Sequence, residues 1–180
     1  MDSLTFILAC AALLSIERIA YFWVWRYPDS FHALCAYPPI AAFGTPIDVL
    51  QKLFYLFKAV QLSVFIGWCF YFGEGALPLP HGTLLSFVAG GLLIIFGQLL
   101  NFSVFYRLGT VGVFYGNKLG YQVSWREGFP FSLCKHPQYV GALISIWGFF
   151  LLMRFPHGDW IVLPVIETLY YALGAHFERS

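Results

Sequence analysis

The sequence predicts an all-α integral membrane protein with about five transmembrane helices, of which the last two form a short helical hairpin. Hydrophobic residues make up 59% of the 180-residue chain and charged residues only 11%, whereas soluble domains contain about 45–50% and about 25%, respectively. The chain also contains several apolar blocks of about the 20 residues that cross a bilayer as a helix. A water-soluble monomer is therefore excluded, and the 20 Phe, 11 Tyr and 6 Trp residues exclude intrinsic disorder. We expect one membrane-embedded domain over residues 1–180.

Four apolar blocks define the predicted helices. The first three blocks are long enough to span the membrane and predict helices at about residues 4–25, 49–72 and 84–106. The fourth block is too long for one helix and is interrupted by a turn-forming run at residues 155–159, Phe-Pro-His-Gly-Asp. We therefore predict that it forms two helices, at about residues 138–154 and 160–177.

Positive charge in the loops predicts the orientation of these helices. The N-terminal tail and residues 73–82 contain no Lys or Arg, whereas the long third loop contains four such residues: Arg107, Lys118, Arg126 and Lys135. Because cytoplasmic loops are enriched in Lys and Arg, we expect the third loop and the C-terminus on the cytoplasmic side and the N-terminus outside. The N-terminus lacks the basic region of a signal peptide, so we expect the first helix to remain as an anchor.

The cysteines and the net charge do not indicate a further ligand. The four cysteines lack the close Cys-x-x-Cys spacing of redox and zinc sites, and we interpret them as small apolar side chains. No metal site is predicted. A formal net charge of +1 gives no general attraction to nucleic acid.

The start of the fourth helix and the end of the fifth contain the candidate site. Pro137 is favourable in the first turn of a helix, whose exposed backbone N–H groups form a site for anions. Glu178 opposes the dipole at a helix C-terminus, which indicates a function, although a polar stop is the alternative. Because the two helices are neighbours in the hairpin, we expect four side chains to converge: His136, Tyr139, Glu178 and Arg179. For His136 the alternative is an interfacial side chain bonded to a carbonyl.

Two other patterns have structural interpretations. Gly112, Gly116 and Gly120 fit one helical face of small residues, which favours close helix packing over ligand contact. Glu17 and Arg18 lie deep in the first helix, and adjacent residues on a helix do not face each other, so we expect each to have a partner elsewhere. We interpret this pair as polar contacts that stabilise the bundle, with a catalytic role as the alternative.

Several short segments between residues 95 and 178 occur in a characteristic order and spacing. They are Phe96-Gly97-Gln98, the run from Tyr106 to Gly116, Gly128-Phe129-Pro130-Phe131, the run from His136 to Gly141, and Phe177-Glu178. In this arrangement the chain resembles the integral-membrane phospholipid methyltransferases. That family includes relatives of phosphatidylethanolamine N-methyltransferase and, more distantly, of isoprenylcysteine carboxyl methyltransferase.

The resemblance implies the cofactor and the roles of individual residues. The family uses S-adenosylmethionine (SAM), which it binds through a Gly-x-Gly element and a Glu-Glu pair, and Gly97 and Glu178 are the matching residues here. The implied cofactor-binding residues are Gly97, His136, Pro137, Tyr139, Gly141, Glu178 and Arg179. Glu178 or His136 is implied as the catalytic proton acceptor. The implied ligands of the lipid phosphate are Arg107, Lys118, Arg126 and Lys135.

We therefore predict a multi-pass membrane enzyme that methylates phosphatidylethanolamine, or its mono- and dimethyl derivatives, in phosphatidylcholine synthesis. Its active site would face the cytoplasm, in the endoplasmic reticulum membrane of a eukaryote or the inner membrane of a bacterium. One alternative is a related methyltransferase that acts on a small thiol or a prenylcysteine carboxylate. The other is a non-enzymatic membrane protein with the same fold. The partners predicted are the bilayer and its phospholipid, without nucleic acid and without a specified oligomeric state.

Overall fold

The chain folds as a bundle of α-helices, and the part that the structure describes contains no β-strand. The structure is a computed structural model that describes residues 2–73, 82–124 and 126–178. Its helices are α1 (Ser3–Arg26), α2 (Pro28–Cys35), α3 (Pro38–Ala41), α4 (Pro46–Phe72), α5 (Leu84–Val113), α6 (Pro137–Met153) and α7 (Val162–Phe177). A short 3₁₀ helix, Gly158–Ile161, leads into α7.

The lengths and apolarity of these helices confirm the prediction of an all-α integral membrane protein. Among the described residues, α1, α4, α5 and the segment Gly158–Phe177 are each long and apolar enough to cross a bilayer. Helix α6 is equally apolar but has only 17 residues. Many large apolar side chains on the long helices are exposed, as expected for surfaces that face lipid. The short helices α2 and α3 lie in the first loop, where the hydrophobic pattern did not predict them.

Helix α5 is longer than predicted and ends differently. It continues to Val113 across a kink at Gly109, whose φ of 65° lies in the left-handed region that glycine tolerates. The chain then leaves the helix, so Gly116 and Gly120 lie in turns. The predicted helical face of small residues is therefore wrong beyond Gly112, because helix α5 ends before the next glycine.

Close packing between α5 and α6 fixes the position of the α6 N-terminus. Gly97 of α5 faces Gly141 of α6, and a Cβ atom placed on Gly97 would lie 2.4 Å from the Gly141 carbonyl oxygen. Two turns away, a Cβ atom on Gly148 would lie 2.7 Å from the Gly90 carbonyl oxygen. Small residues at these positions let the two backbones approach closely, as in many membrane helix pairs.

A partly buried ion pair closes the turn between α6 and α7. The Arg154 guanidinium donates hydrogen bonds to both carboxylate oxygens of Asp159, at 2.9 and 2.7 Å, and to the carbonyl oxygen of Phe72, at 3.0 Å. The indole nitrogen of Trp68 donates to the same carboxylate at 2.9 Å. These contacts join α4, α6 and α7 at the end of the bundle opposite the α6 N-terminus.

A second polar network crosses the interior of the bundle. Arg18 Nη2 donates to Glu17 Oε1 at 2.6 Å, so the expectation that these neighbours would not contact each other is wrong. The long guanidinium side chain folds back along α1 and reaches the carboxylate. Each residue also has a partner on another helix, because Lys58 Nζ lies 3.0 Å from Glu17 Oε1 and the Arg18 guanidinium lies 4.0 Å from the Tyr171 ring centroid.

Candidate active site

A carboxylate held by two tyrosines lies where α5, α6 and α7 meet. Glu178 directly follows α7, and the Tyr115 hydroxyl donates a hydrogen bond to its Oε1 atom at 2.6 Å. The hydroxyl of Tyr139, in the first turn of α6, donates to the same oxygen. The two tyrosine hydroxyls lie 3.3 Å apart. We name Tyr115, Tyr139 and Glu178 the carboxylate cluster.

Tyr115 adopts an unusual backbone conformation to reach this position. Its φ angle is 55°, in the left-handed region that bulky residues rarely occupy. Such strain persists only where the surrounding structure holds it, and it is common at functional sites. Sequence reasoning did not select Tyr115, although the residue lies inside a segment that carried the resemblance.

The chemistry of the carboxylate cluster follows from its burial. Burial, together with the nearby Tyr139 and Glu178, raises the pKa of the Tyr115 phenol well above its ordinary value. Tyr115 therefore remains a neutral hydrogen-bond donor at any physiological pH. The Glu178 side chain is only 14% exposed, so its charge is poorly screened by solvent and interacts strongly with a nearby cation.

His136 completes the site from the N-terminal end of α6. Its Nδ1 atom lies 3.9 Å from Glu178 Oε2, on the carboxylate oxygen that the tyrosines leave aside. Its ring stacks on Tyr139 with the centroids 5.7 Å apart. The side chain does not cap α6, and its 3.9 Å separation from Glu178 Oε2 is longer than a hydrogen bond. The structure thus brings together three of the four side chains that were expected to converge; the fourth, Arg179, lies outside the described residues.

The site borders a large cavity inside the bundle. The cavity has a volume of about 760 Å³, within the range of about 300–1,000 Å³ that is usual for small-molecule sites. Its polar lining includes Gln98, whose amide donates to Ser145 Oγ at 2.9 Å. It also includes Asn101, whose Oδ1 atom is buried without a hydrogen-bond partner among the described residues. Sequence reasoning did not select Gln98 or Asn101 as site residues, although Gln98 lies in a segment that carried the resemblance, because nothing in the local pattern shows which face of α5 borders a cavity.

The remaining predicted cofactor-binding residues have different surroundings. Pro137 is buried and lines the large cavity. Gly97 and Gly141 are buried against each other in the contact between α5 and α6. This position gives the two glycines a packing role, and a contact between either glycine and a cofactor stays a prediction.

The four basic residues that were predicted in the third loop are all exposed. Arg107 lies within α5, because that helix continues beyond its predicted end to Val113. Arg107 Nε donates to the Phe129 carbonyl oxygen at 3.1 Å, so this side chain holds the Gly-Phe-Pro-Phe segment in place. Lys118 Nζ lies 4.3 Å from the ring centroid of Trp25. Lys135 lines the large cavity. Among the described residues, Lys135 is the only one of the four predicted phosphate ligands that lines the large cavity. A contact with a lipid phosphate stays a prediction for all four residues.

Comparisons with known proteins bear on the identity of this site. The sequence model of the phospholipid methyltransferase family matches residues 85–180, which is more than half of the chain. The chain is 32% identical over 126 residues to phosphatidyl-N-methylethanolamine N-methyltransferase of Arabidopsis thaliana, covering 70% of this chain and 67% of that protein. It is 28% identical over 174 residues to phosphatidylethanolamine N-methyltransferase of Rattus norvegicus, covering 94% and 83%.

A yeast relative covers a smaller part of the chain. Phosphatidyl-N-methylethanolamine N-methyltransferase of Saccharomyces cerevisiae is 31% identical over 91 residues, which are 50% of this chain and 43% of the yeast protein. No solved structure matches the chain significantly. The matched region contains α5 except its first residue, together with α6, α7 and the whole carboxylate cluster. The chain therefore belongs to the phospholipid methyltransferase family and is a membrane methyltransferase.

Proposed function

We propose that this enzyme transfers a methyl group from SAM to the amine of phosphatidylethanolamine, or of its mono- and dimethyl derivatives, in phosphatidylcholine synthesis. The observation that carries the proposal is the carboxylate cluster beside His136 on the wall of the large cavity. The names of the Arabidopsis and rat relatives support this class of acceptor. The same names favour a phospholipid over a small thiol or a prenylcysteine carboxylate, and an enzyme over a non-enzymatic protein.

The lining of the large cavity fits SAM. The buried Asn101 Oδ1 atom has no partner among the described residues and would accept a hydrogen bond from an amine of the cofactor. Gln98 and Ser145 supply further polar groups on the same wall. The cofactor supplies a methyl group on a positively charged sulfonium, whose charge the partly buried Glu178 carboxylate would complement.

The residues of this chain would orient the acceptor and remove its proton. Methyl transfer requires alignment of the amine with the methyl group, and holding both reactants in one site supplies much of the catalysis. An ammonium group has no lone pair, so it must lose a proton before it reacts. Glu178 or His136 would accept that proton, while Tyr115 and Tyr139 hold the Glu178 carboxylate in place.

The distribution of basic residues indicates which side of the membrane the active site would face. The third loop and Glu178 would face the cytoplasm, because Lys118 and Lys135 lie at the same end of the bundle as Glu178 and cytoplasmic loops are enriched in Lys and Arg. The host membrane would be the endoplasmic reticulum in a eukaryote or the inner membrane in a bacterium. Lys135, at the cavity edge, would lie near the phosphate headgroups of that leaflet.

Methyl transfer by the purified enzyme tests the proposal directly. The protein is reconstituted in phospholipid nanodiscs with methyl-labelled SAM and, separately, phosphatidylethanolamine, its monomethyl form or its dimethyl form. We expect labelled phospholipid with at least one acceptor, and an unchanged rate for Arg26→Gln, an exposed residue at the end of α1. Parallel reactions with a prenylcysteine and a small thiol measure the alternative acceptors. A folded sample that labels none of the three phospholipids would refute the proposal.

A further inference from the structure

The five long helices surround the large cavity, but they do not close it equally on all sides. Helix α5 packs closely on α6, and α6 with α7, α7 with α1, and α1 with α4 are also in contact. Helices α4 and α5 complete the ring, yet in the part of the chain that the structure describes they approach each other at few points. Both helices nevertheless line the large cavity. The side of the cavity between α4 and α5 is therefore the least closed.

Two aromatic residues show that the large cavity reaches the lipid-facing surface on this side. Tyr55 of α4 and Phe102 of α5 both line the cavity. They are also 58% and 70% exposed, on helices that are long and apolar enough to cross a bilayer. A residue that lines a cavity and is also exposed on the outer surface borders the mouth of that cavity. We name the gap that Tyr55 and Phe102 flank the lateral opening.

Aromatic contacts bound the lateral opening at both ends. The Phe54 ring centroid of α4 lies 6.2 Å from that of Phe105 and 5.4 Å from that of Phe114. This contact lies beside the carboxylate cluster, because the residue after Phe114 belongs to that cluster. At the other end, the Phe65 ring packs against Phe149 of α6 with the centroids 5.7 Å apart. Phe65 follows Phe54 by about 16 Å along the α4 axis, so the lateral opening extends from the carboxylate cluster toward the membrane interior.

The inner edge of the lateral opening is polar, although its outer edge is aromatic. On α5, Gln98 and Asn101 precede Phe102 and line the large cavity. On α4, Lys58 lies about one turn beyond Tyr55 and also lines the cavity. A polar group that passes the aromatic edge therefore meets hydrogen-bonding side chains rather than more hydrocarbon, which lowers the cost of moving it away from water.

We propose that the phospholipid acceptor enters the active site from the bilayer through the lateral opening, with its headgroup in the large cavity and its acyl chains against Tyr55 and Phe102. This inference rests on the proposed function. Acyl chains are stable in the bilayer and not in water, so an opening that faces hydrocarbon admits the headgroup while the chains stay in the membrane. The opening lies deeper than Glu178, so a lipid of the adjacent leaflet would place its ammonium group at Glu178 and its chains at the opening without turning over.

SAM would use a different mouth of the same cavity. SAM is charged and soluble in water, and a charged group is costly to move through hydrocarbon. The large cavity is also lined by Lys135, which is exposed, and by His136, whose side chain is 30% exposed at the N-terminal end of α6. These residues border the cavity at the end of the bundle beside the carboxylate cluster. The two reactants would thus enter separately, so blocking the lateral opening should leave cofactor binding intact.

Alkylation of a cysteine at the lateral opening tests the proposal. Phe102→Cys, in a background without the native cysteines, is alkylated with pyrene maleimide in detergent and then reconstituted in phosphatidylethanolamine nanodiscs. We expect methyl transfer to fall at least about tenfold relative to the same variant before alkylation, because the pyrene group obstructs the opening. The Kd for S-adenosylhomocysteine, the demethylated form of SAM, is measured by calorimetry and should stay within about twofold.

Leu92→Cys is the matched control for the alkylation. Leu92 is also on α5 and is 62% exposed, but it does not line the large cavity. We expect the alkylated control to retain its activity. Full activity of alkylated Phe102→Cys, or an equal loss in the alkylated control, would overturn the proposal. A loss of S-adenosylhomocysteine binding in alkylated Phe102→Cys would place the cofactor at the lateral opening and would also overturn it.

Photolabelling of the unmodified protein locates the lipid without any substitution. A phosphatidylethanolamine with a diazirine on one acyl chain is irradiated in phosphatidylglycerol nanodiscs, and the labelled peptides are identified by mass spectrometry. Lipids that merely surround the protein label every lipid-facing helix and are not displaced by a small amount of competitor. We expect unlabelled phosphatidylethanolamine to reduce labelling near Tyr55 and Phe102, because a specific site saturates. Competition confined to other helices would overturn the proposal.

The two measurements separate the lateral opening from the proposed function. Competed labelling at Tyr55 and Phe102 in an enzyme that methylates none of the three phospholipids would refute the proposed function and support the entrance. An enzyme that methylates phospholipid at an unchanged rate with its lateral opening alkylated would support the function and overturn the entrance.

Discussion

The substitution Glu178→Gln separates a catalytic carboxylate from a polar helix end. Glutamine has nearly the same shape and retains one acceptor oxygen for Tyr115 and Tyr139, but it removes the negative charge. The side chain is 14% exposed and lies at the end of α7 rather than in its packed face. We therefore expect folding, expression and monodispersity to be retained.

The expected loss of activity follows from the contacts of the carboxylate. Two tyrosine hydroxyls donate to Glu178 Oε1, and hydrogen bonds to a charged group are worth about 1 kcal/mol more than neutral ones. Removing the charge also weakens attraction to the reacting ammonium group. Losing one partner of a buried charge pair costs about 2–5 kcal/mol, and each ~1.4 kcal/mol corresponds to about tenfold in rate. We predict that Glu178→Gln lowers methyl transfer at least about tenfold.

Initial rates with phosphatidylethanolamine and with its monomethyl form, combined with thermal unfolding, measure this effect. Glu127→Gln removes an exposed carboxylate from the third loop and is the matched control; it should change neither rate nor stability. Tyr115→Phe should reduce the rate less than Glu178→Gln, because the carboxylate retains its charge. Wild-type kinetics in Glu178→Gln with both lipids would show that the carboxylate cluster has no role in the reaction.

Three further predictions concern packing, the opposite end of the bundle and topology. Gly97→Ala should destabilise the protein by about 1–3 kcal/mol, measured as a lower midpoint of thermal unfolding. Gly91→Ala is the control and should not destabilise it, because no atom lies within 4 Å of the added carbon. Equal midpoints for the two variants would contradict the packing role of Gly97. Asp159→Asn leaves a buried arginine without its counter-ion and should lower stability by about 3 kcal/mol or more without changing SAM affinity. A loss of SAM binding without a loss of stability would show that this ion pair and the candidate active site are not independent. Lys118→Cys and Gly158→Cys, in a background without the native cysteines, should react with an impermeant reagent from opposite sides of the membrane, and labelling of both from one side would exclude the proposed orientation.

Sequence alone determined the class of the protein and the approximate membrane helices. Apolarity is a property of each residue, and a run of about 20 apolar residues has few stable alternatives to a helix in a bilayer. The hairpin of the last two helices also followed from sequence, because residues 155–159 form a turn in a long apolar block. That hairpin was sufficient to predict that His136, Tyr139 and Glu178 would lie near one another, which is where the structure places them.

Only the tertiary structure decided which other groups share that site. Tyr115 reaches Glu178 because α5 ends at Val113 and the chain turns back, and Arg18 reaches Tyr171 because α1 packs against α7. Neither contact follows from a local pattern, since it depends on which helices are neighbours and on how each is rotated about its axis. The same rotation turned Gly97 toward α6 rather than toward a cavity. Cavities and buried charge networks arise between helices, so they are specified by packing, whereas the helices themselves are specified by the sequence of each segment.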